Sequence, residues 1–358
     1  MRSLLVLLSL AVVQPALAGE PLDAKAVEAA KKAVDQGITF LKGKQAEDGS
    51  YGGHVGLTAM VLMAYAESHQ ALRNDAGPFI SKAADWLAAQ AKPDGSITGD
   101  ATPTYNTALS IMALHALDPV KYKALVQAGQ KYLADDQDDE DRKYEKSHKY
   151  YGGMGYDGDE RPDLSNLHYA LEALRKTDYD ANSDVWAKAE IFINRSQNRS
   201  ESNDQPWAGN DGGFIYGPGE SKAGGTTSYG SMSFAGLKSL IFVKAKHDDP
   251  RVKAVWDWIS KHYDFNSNPG MGTTSYYYYL QTAGGALEAF GEDFVPDEKG
   301  RKRRWAADLI SKVASLQQAD GSWANPDPKY WEGNPVLATA RSISTLNHAL
   351  RSAGANSK

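Results

Sequence analysis

Gln317-Gln318-Ala319-Asp320-Gly321-Ser322-Trp323 joins an amphipathic segment to an apolar one that resumes at about Val336. Its Asp-Gly pair marks a tight turn. The same grammar stands at Gln45-Ala46-Glu47-Asp48-Gly49-Ser50-Tyr51 and at Gln90-Ala91-Lys92-Pro93-Asp94-Gly95-Ser96. Looser copies are Tyr151-Gly152-Gly153, Asp211-Gly212-Gly213-Phe214 and Pro269-Gly270-Met271-Gly272. With markers at Asp48, Asp94, Gly152, Asp211, Gly270 and Asp320, the intervals are 46, 58, 59, 59 and 50 residues. That is a six-fold repeat with loops of variable length.

Each marker separates two helical segments of different character. The first is amphipathic, as in Lys82-Ala83-Ala84-Asp85-Trp86-Leu87-Ala88-Ala89-Gln90. The second is nearly all apolar: Thr58 alone is polar in residues 57–66, and Ser110 and His115 alone in residues 108–117. A helix apolar all round must be covered on every side, whereas one with a single stripe keeps its back in water. The remaining pairs are residues 126–133 with 167–174, 186–194 with 229–241, 252–263 with 276–290, and 305–318 with 336–350. Six inner and six outer helices in alternation predict an all-α (α/α)6 double ring, one domain over residues 19–358 with its repeats at about 30–350. The terminal repeats read like internal ones, which favours closure over an open solenoid of hairpins.

Gln-x-x-x-Gly-x-Trp, ending at Trp323, resembles the repeat of squalene-hopene cyclases and related terpenoid cyclases. Gly212-Gly213-Phe214-Ile215-Tyr216-Gly217-Pro218-Gly219 resembles the glycine-rich loop of protein prenyltransferase β-subunits. The resemblance implies an α/α toroid whose inner helices enclose a funnel that in the family often holds an isoprenoid. Cyclases of this family protonate an alkene or epoxide with an Asp-x-Asp-Asp acid ahead of an inner helix. A double bond is a very weak base, so such an acid must be desolvated and supported by neighbours. Here Asp163-Leu164-Ser165-Asn166 holds that place and keeps only the first Asp. A literal Asp136-Gln137-Asp138-Asp139 lies in the charged run 135–146 and reads as a solvated surface loop. The prenyltransferase zinc site uses Asp, Cys and His. This chain has no Cys and its eight His show no ligand spacing, so neither metal nor cofactor is expected.

In a double ring the natural site is the central cavity, reached past the starts of the inner helices. The runs there are polar: Tyr105-Asn106-Thr107, Asp163-Leu164-Ser165-Asn166, Thr226-Thr227-Ser228-Tyr229 and Thr273-Thr274-Ser275. These are N-capping residue types, and their recurrence also makes a polar rim at one mouth. The candidate catalytic residues are Asp163 as acid, with Asn166 and His168 supporting its proton. The candidate ligand-binding residues are Tyr105, Asn106, Tyr229, Tyr276, Tyr277 and Trp331, since aromatic faces stabilise cations and stack on rings. Of the four consecutive tyrosines 276–279, about half face neighbouring helices as core. Trp207, Trp323, Tyr330 and Trp331 fall in loops and are expected to ring an entrance.

Residues 1–18 read as a cleaved secretory signal: Arg2, an apolar run over residues 4–13, then Pro15 and Ala16-Leu17-Ala18. The apolar run is too short to span a bilayer. Export places the chain in the periplasm or outside the cell, and without Cys its stability rests on a large core. A net charge of −6 argues against nucleic acid or anionic membrane as the main partner. Missing Cys also excludes thiolate nucleophiles and thioester chemistry. Three functions stay open. One is an exported toroid that lost the acid and binds an apolar isoprenoid-type molecule or a protein partner. Another is a terpenoid cyclase or prenyl-handling enzyme acting through Asp163. The third is a carbohydrate-active (α/α)6 lyase or hydrolase drawing on Asp157, Asp159, Glu160 and Asp163.

Overall fold

The computed structural model describes residues 22–99, 101–156 and 161–354. The expected signal at 1–18 and the acids Asp157, Asp159 and Glu160 lie outside them. Among the described residues twelve α-helices alternate between two layers. The outer layer holds α1 (Ala24–Lys42), α3 (Pro78–Ala88), α5 (Lys123–Asp135), α7 (Val185–Arg195), α9 (Pro250–Lys261) and α11 (Trp305–Ser315). The inner layer holds α2 (Val55–Ala66), α4 (Pro103–Leu117), α6 (Leu164–Lys176), α8 (Gly230–Phe242), α10 (Tyr276–Phe290) and α12 (Pro335–Ser352). Every residue of α2 is buried, whereas α1 buries a single stripe that includes Val34, Ile38 and Leu41. Inner helices pack on one another in chain order, and α12 packs back on α2. The ring is shut, as the (α/α)6 reading requires. Among the described residues no helix is long and apolar enough to cross a membrane.

The Gln-Asp-Gly motif is the joint between hairpins. Gln317 Nε2 donates to the Gly321 carbonyl of its own turn and to the Ala33 carbonyl of α1, both at 2.9 Å, tying the last repeat to the first. Gln45 bridges Gly49 and Phe79 of α3 in the same way, at 2.9 and 2.8 Å. The turn lies so close to the next outer helix that a Cβ on Gly321 (φ +87°) would stand 2.6 Å from the Gln36 carbonyl oxygen. The three full copies of the motif are also sewn to the inner helix that follows. Trp323 N donates to Thr339 Oγ1 (3.1 Å), Tyr51 N to Thr58 Oγ1 (3.0 Å) and Ile97 N to Thr107 Oγ1 (2.9 Å). Trp323 is therefore a core wedge and not an entrance residue: it is fully buried, with Nε1 donating to Val313 O at 2.8 Å.

The Asp136-Gln137-Asp138-Asp139 run is also buried, which corrects its reading as a solvated loop. Gln137 is the motif glutamine of the third repeat, donating to Gly152 O (3.0 Å) and Val185 O of α7 (3.1 Å), and it draws the flanking acids in with it. Asp136 accepts from Thr104 Oγ1 at 2.6 Å and from Arg142, and Asp139 accepts from Lys188 at 2.8 Å. Burial pushes the Asp138 carboxyl up to about 7, against the pull of Arg142.

The two ends of the ring differ chemically. At the C-terminal ends of the inner helices, Glu172 of α6 pairs with Lys238 of α8 (2.7 Å) and with Lys176 (3.2 Å). Lys176 reaches Glu67 beyond α2 (2.8 Å), and Arg351 of α12 reaches Glu288 of α10 (2.6 Å). Three carboxylates thus meet three basic side chains in a stopper across that end. The N-terminal ends surround a cavity instead.

Candidate functional site

The first turns of all six inner helices line a cavity of about 660 Å3. Its apolar wall comes from Val55, Leu57 and Met60 of α2, Met232 of α8 and Leu337 of α12, with Tyr105, Tyr229 and Tyr278 between them. Pro103 opens α4, so Tyr105 and Asn106 sit in a helical turn and face the cavity. Asn106 Nδ2 donates to Ala101 O at 2.8 Å. His54 caps α2, its Nδ1 accepting from Leu57 N at 3.3 Å, and burial lowers its pKa, which favours the neutral imidazole. Its ring meets Trp331 edge-on at 4.9 Å. Tyr330 and Trp331 stand exposed on the rim at φ +54° and +65°, a region that bulky residues seldom occupy. The buried Glu332 anchors that strained loop. Its carboxylate accepts from Tyr278 N (2.7 Å), Tyr277 N (3.1 Å) and Asn325 Nδ2 (2.8 Å), satisfying the N-terminus of α10.

Asp163 is the N-cap of α6, accepting from Asn166 N (2.9 Å) and Asn166 Nδ2 (2.7 Å). Burial pushes its carboxyl up to about 6, against hydrogen bonds from Asn166 and the Tyr216 phenol. Asp163 does not line the main cavity. It faces a neighbouring cavity of about 470 Å3, and Tyr156 and Tyr216, with hydroxyls 3.2 Å apart, form with Lys222 the wall common to both. Asn166 thus holds Asp163, whereas His168 does not: its Nδ1 lies 2.8 Å from Ser165 O, and burial takes its pKa down to about 3. His168 lines neither cavity.

The phase of α10 corrects the tyrosine assignments. Tyr276 and Tyr277 turn away from the cavity, their hydroxyls donating to Phe265 O (2.6 Å) and Ala324 O (3.5 Å), and Tyr278 is the one that lines it. Tyr105, Asn106, Tyr229 and Trp331 are placed in the lining as the sequence reading expects. The reading missed Tyr156, Tyr216, Glu332 and Arg341. For Arg341 the signal was present, as a lone cation among the small and apolar residues of Val336-Leu337-Ala338-Thr339-Ala340-Arg341-Ser342-Ile343.

No family model and no curated protein matches the chain. In shape it is similar to the type II terpene cyclase MstE from Scytonema, with a TM-score of 0.55 and 13% identity over 91% of this chain and 99% of that one. A variant of that cyclase in complex with geranylgeranyl dihydroxybenzoate is similar at a TM-score of 0.55 and 13% identity, over 92% and 99% of the two chains. A glycosidase is similar at 0.51 and 14% identity, over 93% and 99%. The protein is thus an (α/α)6 toroid of the terpenoid-cyclase type of architecture. That architecture carries both chemistries, so function is argued from the site.

Proposed function

We propose that this protein is an exported toroid that binds one apolar, isoprenoid-type molecule in the ring cavity and does not protonate it as a class II cyclase would. The observation that carries the reading is the cavity. Its volume of about 660 Å3 falls within the roughly 300–1,000 Å3 of small-molecule sites, and its wall is aliphatic, thioether and aromatic. Methionines at positions 60, 232 and 271 suit an irregular hydrocarbon, because the unbranched thioether adapts its shape. A structural neighbour of the same fold holds geranylgeranyl dihydroxybenzoate. The acid is the missing part: Asp163 stands behind two tyrosines, and the literal Asp-x-Asp-Asp run is occupied in joining α5 to α7. Export rests on the N-terminal pattern alone. Organic extraction of the purified full chain with mass spectrometry, followed by titration with geranylgeraniol, tests the reading. A stoichiometric apolar ligand or saturable binding supports it, and the absence of both contradicts it.

One observation favours a catalytic reading in second place. A carboxyl raised to about 6 holds a proton far more readily than an ordinary Asp, and the Tyr216 hydroxyl connects it to the main cavity wall. Asp163→Asn would then abolish turnover of a polyprenyl substrate while leaving the fold intact. Unchanged product formation in that variant ends this reading.

A further inference from the structure

Three charged side chains of the main cavity wall are Lys222, Glu332 and Arg341. Lys222 is paired with Glu220 at 2.7 Å, and Glu332 is taken up by the amides of α10 and by Asn325. Arg341, on α12, differs. It is 7% exposed, and among the described residues its Nε and Nη1 have no hydrogen-bond partner. The guanidinium lies 4.9 Å over the Tyr278 ring, and it pulls the Tyr105 pKa down against the rise from burial. Glu332 acts on it only through space.

Arg195 shows what this protein does with a buried arginine whose task is structural. At 4% exposure, its Nε and Nη2 hold Asp204, its Nη1 donates to His148 O and its Nη2 also to Lys146 O. Every nitrogen is used. A buried cation left without acceptors is costly, and one that faces a cavity is completed by what enters the cavity.

We propose that Arg341 binds an oxyanion, so that the cavity's ligand is an amphiphile whose apolar chain ends in a carboxylate or phosphate. This rests on the reading of the cavity as an apolar ligand site. The headgroup sits on Arg341 beside Tyr105 and Tyr278, and the chain runs against Leu57, Met60 and Met232. A neutral isoprenoid in the same place leaves Nε and Nη1 dry and unpaired. A planar guanidinium fork suits either oxyanion.

The test is calorimetric titration of the full chain with geranylgeranoate, geranylgeranyl phosphate, geranylgeraniol and benzoate, for wild type and Arg341→Met. Wild type is expected to prefer one or both anionic lipids over the alcohol by roughly 10- to 100-fold, and Arg341→Met to lose that preference while still binding the alcohol. The ligand-free variant is expected to melt no lower than wild type, because it buries one unpaired charge fewer. Which anion wins separates a carboxylate from a phosphate source. Equal affinity for anion and alcohol, or a preference that survives in Arg341→Met, overturns the inference and leaves the apolar reading standing. Arg341-dependent binding of benzoate without any lipid binding upholds the oxyanion site and removes the apolar reading. No binding at all removes both. Should Arg341→Met fail to fold, Arg341→Lys serves: a point charge without the fork is expected to keep only part of the preference, and an undiminished preference overturns the inference.

Discussion

Replacing Lys238 with Met probes whether buried charge seals the far end of the ring. Lys238 Nζ stands 2.7 Å from Glu172 Oε2, with side chains only 7% and 5% exposed. At an effective dielectric of about 20, that separation corresponds to roughly 6 kcal/mol of attraction, much of it offset by the cost of desolvating both ions. Met fills a similar volume but strands Glu172 with Lys176, which sits farther off at 3.2 Å and reaches solvent. Breaking a buried pair in this way is expected to cost about 3–5 kcal/mol. Urea unfolding followed by far-UV circular dichroism, extrapolated linearly to water, reads the loss. The double variant Glu172→Met/Lys238→Met leaves no stranded carboxylate and is expected to recover most of it. A single-variant loss below about 1 kcal/mol, or a double variant worse than the single, would refute the claim of a desolvated ionic stopper.

The same stopper makes the acid limb specific. Burial alone would raise Glu67, but Lys176 and Arg351 outweigh it and hold the carboxyl at about 2, down from 4.5. Its contribution is therefore full above about pH 4.5 and lost as pH falls toward 2; Glu67→Gln should flatten that part of a stability–pH profile, and an unchanged slope contradicts the assignment. Asp163 works in the opposite sense. Its carboxyl is raised from 3.8 to about 6, so the folded state loses stability as pH climbs between those values, on the order of 3 kcal/mol at pH 7. Asn caps as well as Asp, so after losing one hydrogen bond Asp163→Asn should be about 1–2 kcal/mol more stable at pH 8 and show no advantage at pH 3.5, measured by scanning calorimetry. At the ring's seam, Gly321→Ala forces a Cβ to 2.6 Å from a carbonyl oxygen at φ +87°, for an expected loss of about 2–4 kcal/mol. Gly272→Ala, at φ +62° with nothing within 4 Å, should lose only about 1 kcal/mol; equal losses would mean the seam is not tightly packed.

The architecture was legible because the repeat encodes backbone geometry locally. A Gly in a left-handed turn and a Gln four residues before it carry their constraint wherever they occur, as Gln45 and Gln317 show. Side-chain direction was less legible, since it depends on helix phase set from elsewhere. Glu332, more than fifty residues downstream, holds the N-terminus of α10, and with it the choice of Tyr278 over Tyr276 and Tyr277 as the cavity residue. Charge density misled at Asp136, Asp138 and Asp139, where the register of Gln137 decided burial. The overlooked signal was the single charge within an apolar inner helix. Glu172, Lys238 and Arg341 each break such a run; two of them turned out to be partners across the stopper, and the third faces the cavity with its Nε and Nη1 unpartnered among the described residues.

The most direct test of the account measures what enters the ring. Titration of the full chain with geranylgeraniol at several temperatures should give one site per chain and a negative heat-capacity change, the mark of apolar surface leaving water. Met232→Trp, which places an indole in the cavity wall of α8, should abolish that heat while the protein stays folded. A folded wild type that binds nothing, or a Trp variant that binds as wild type does, would contradict the assignment of the cavity as the binding site.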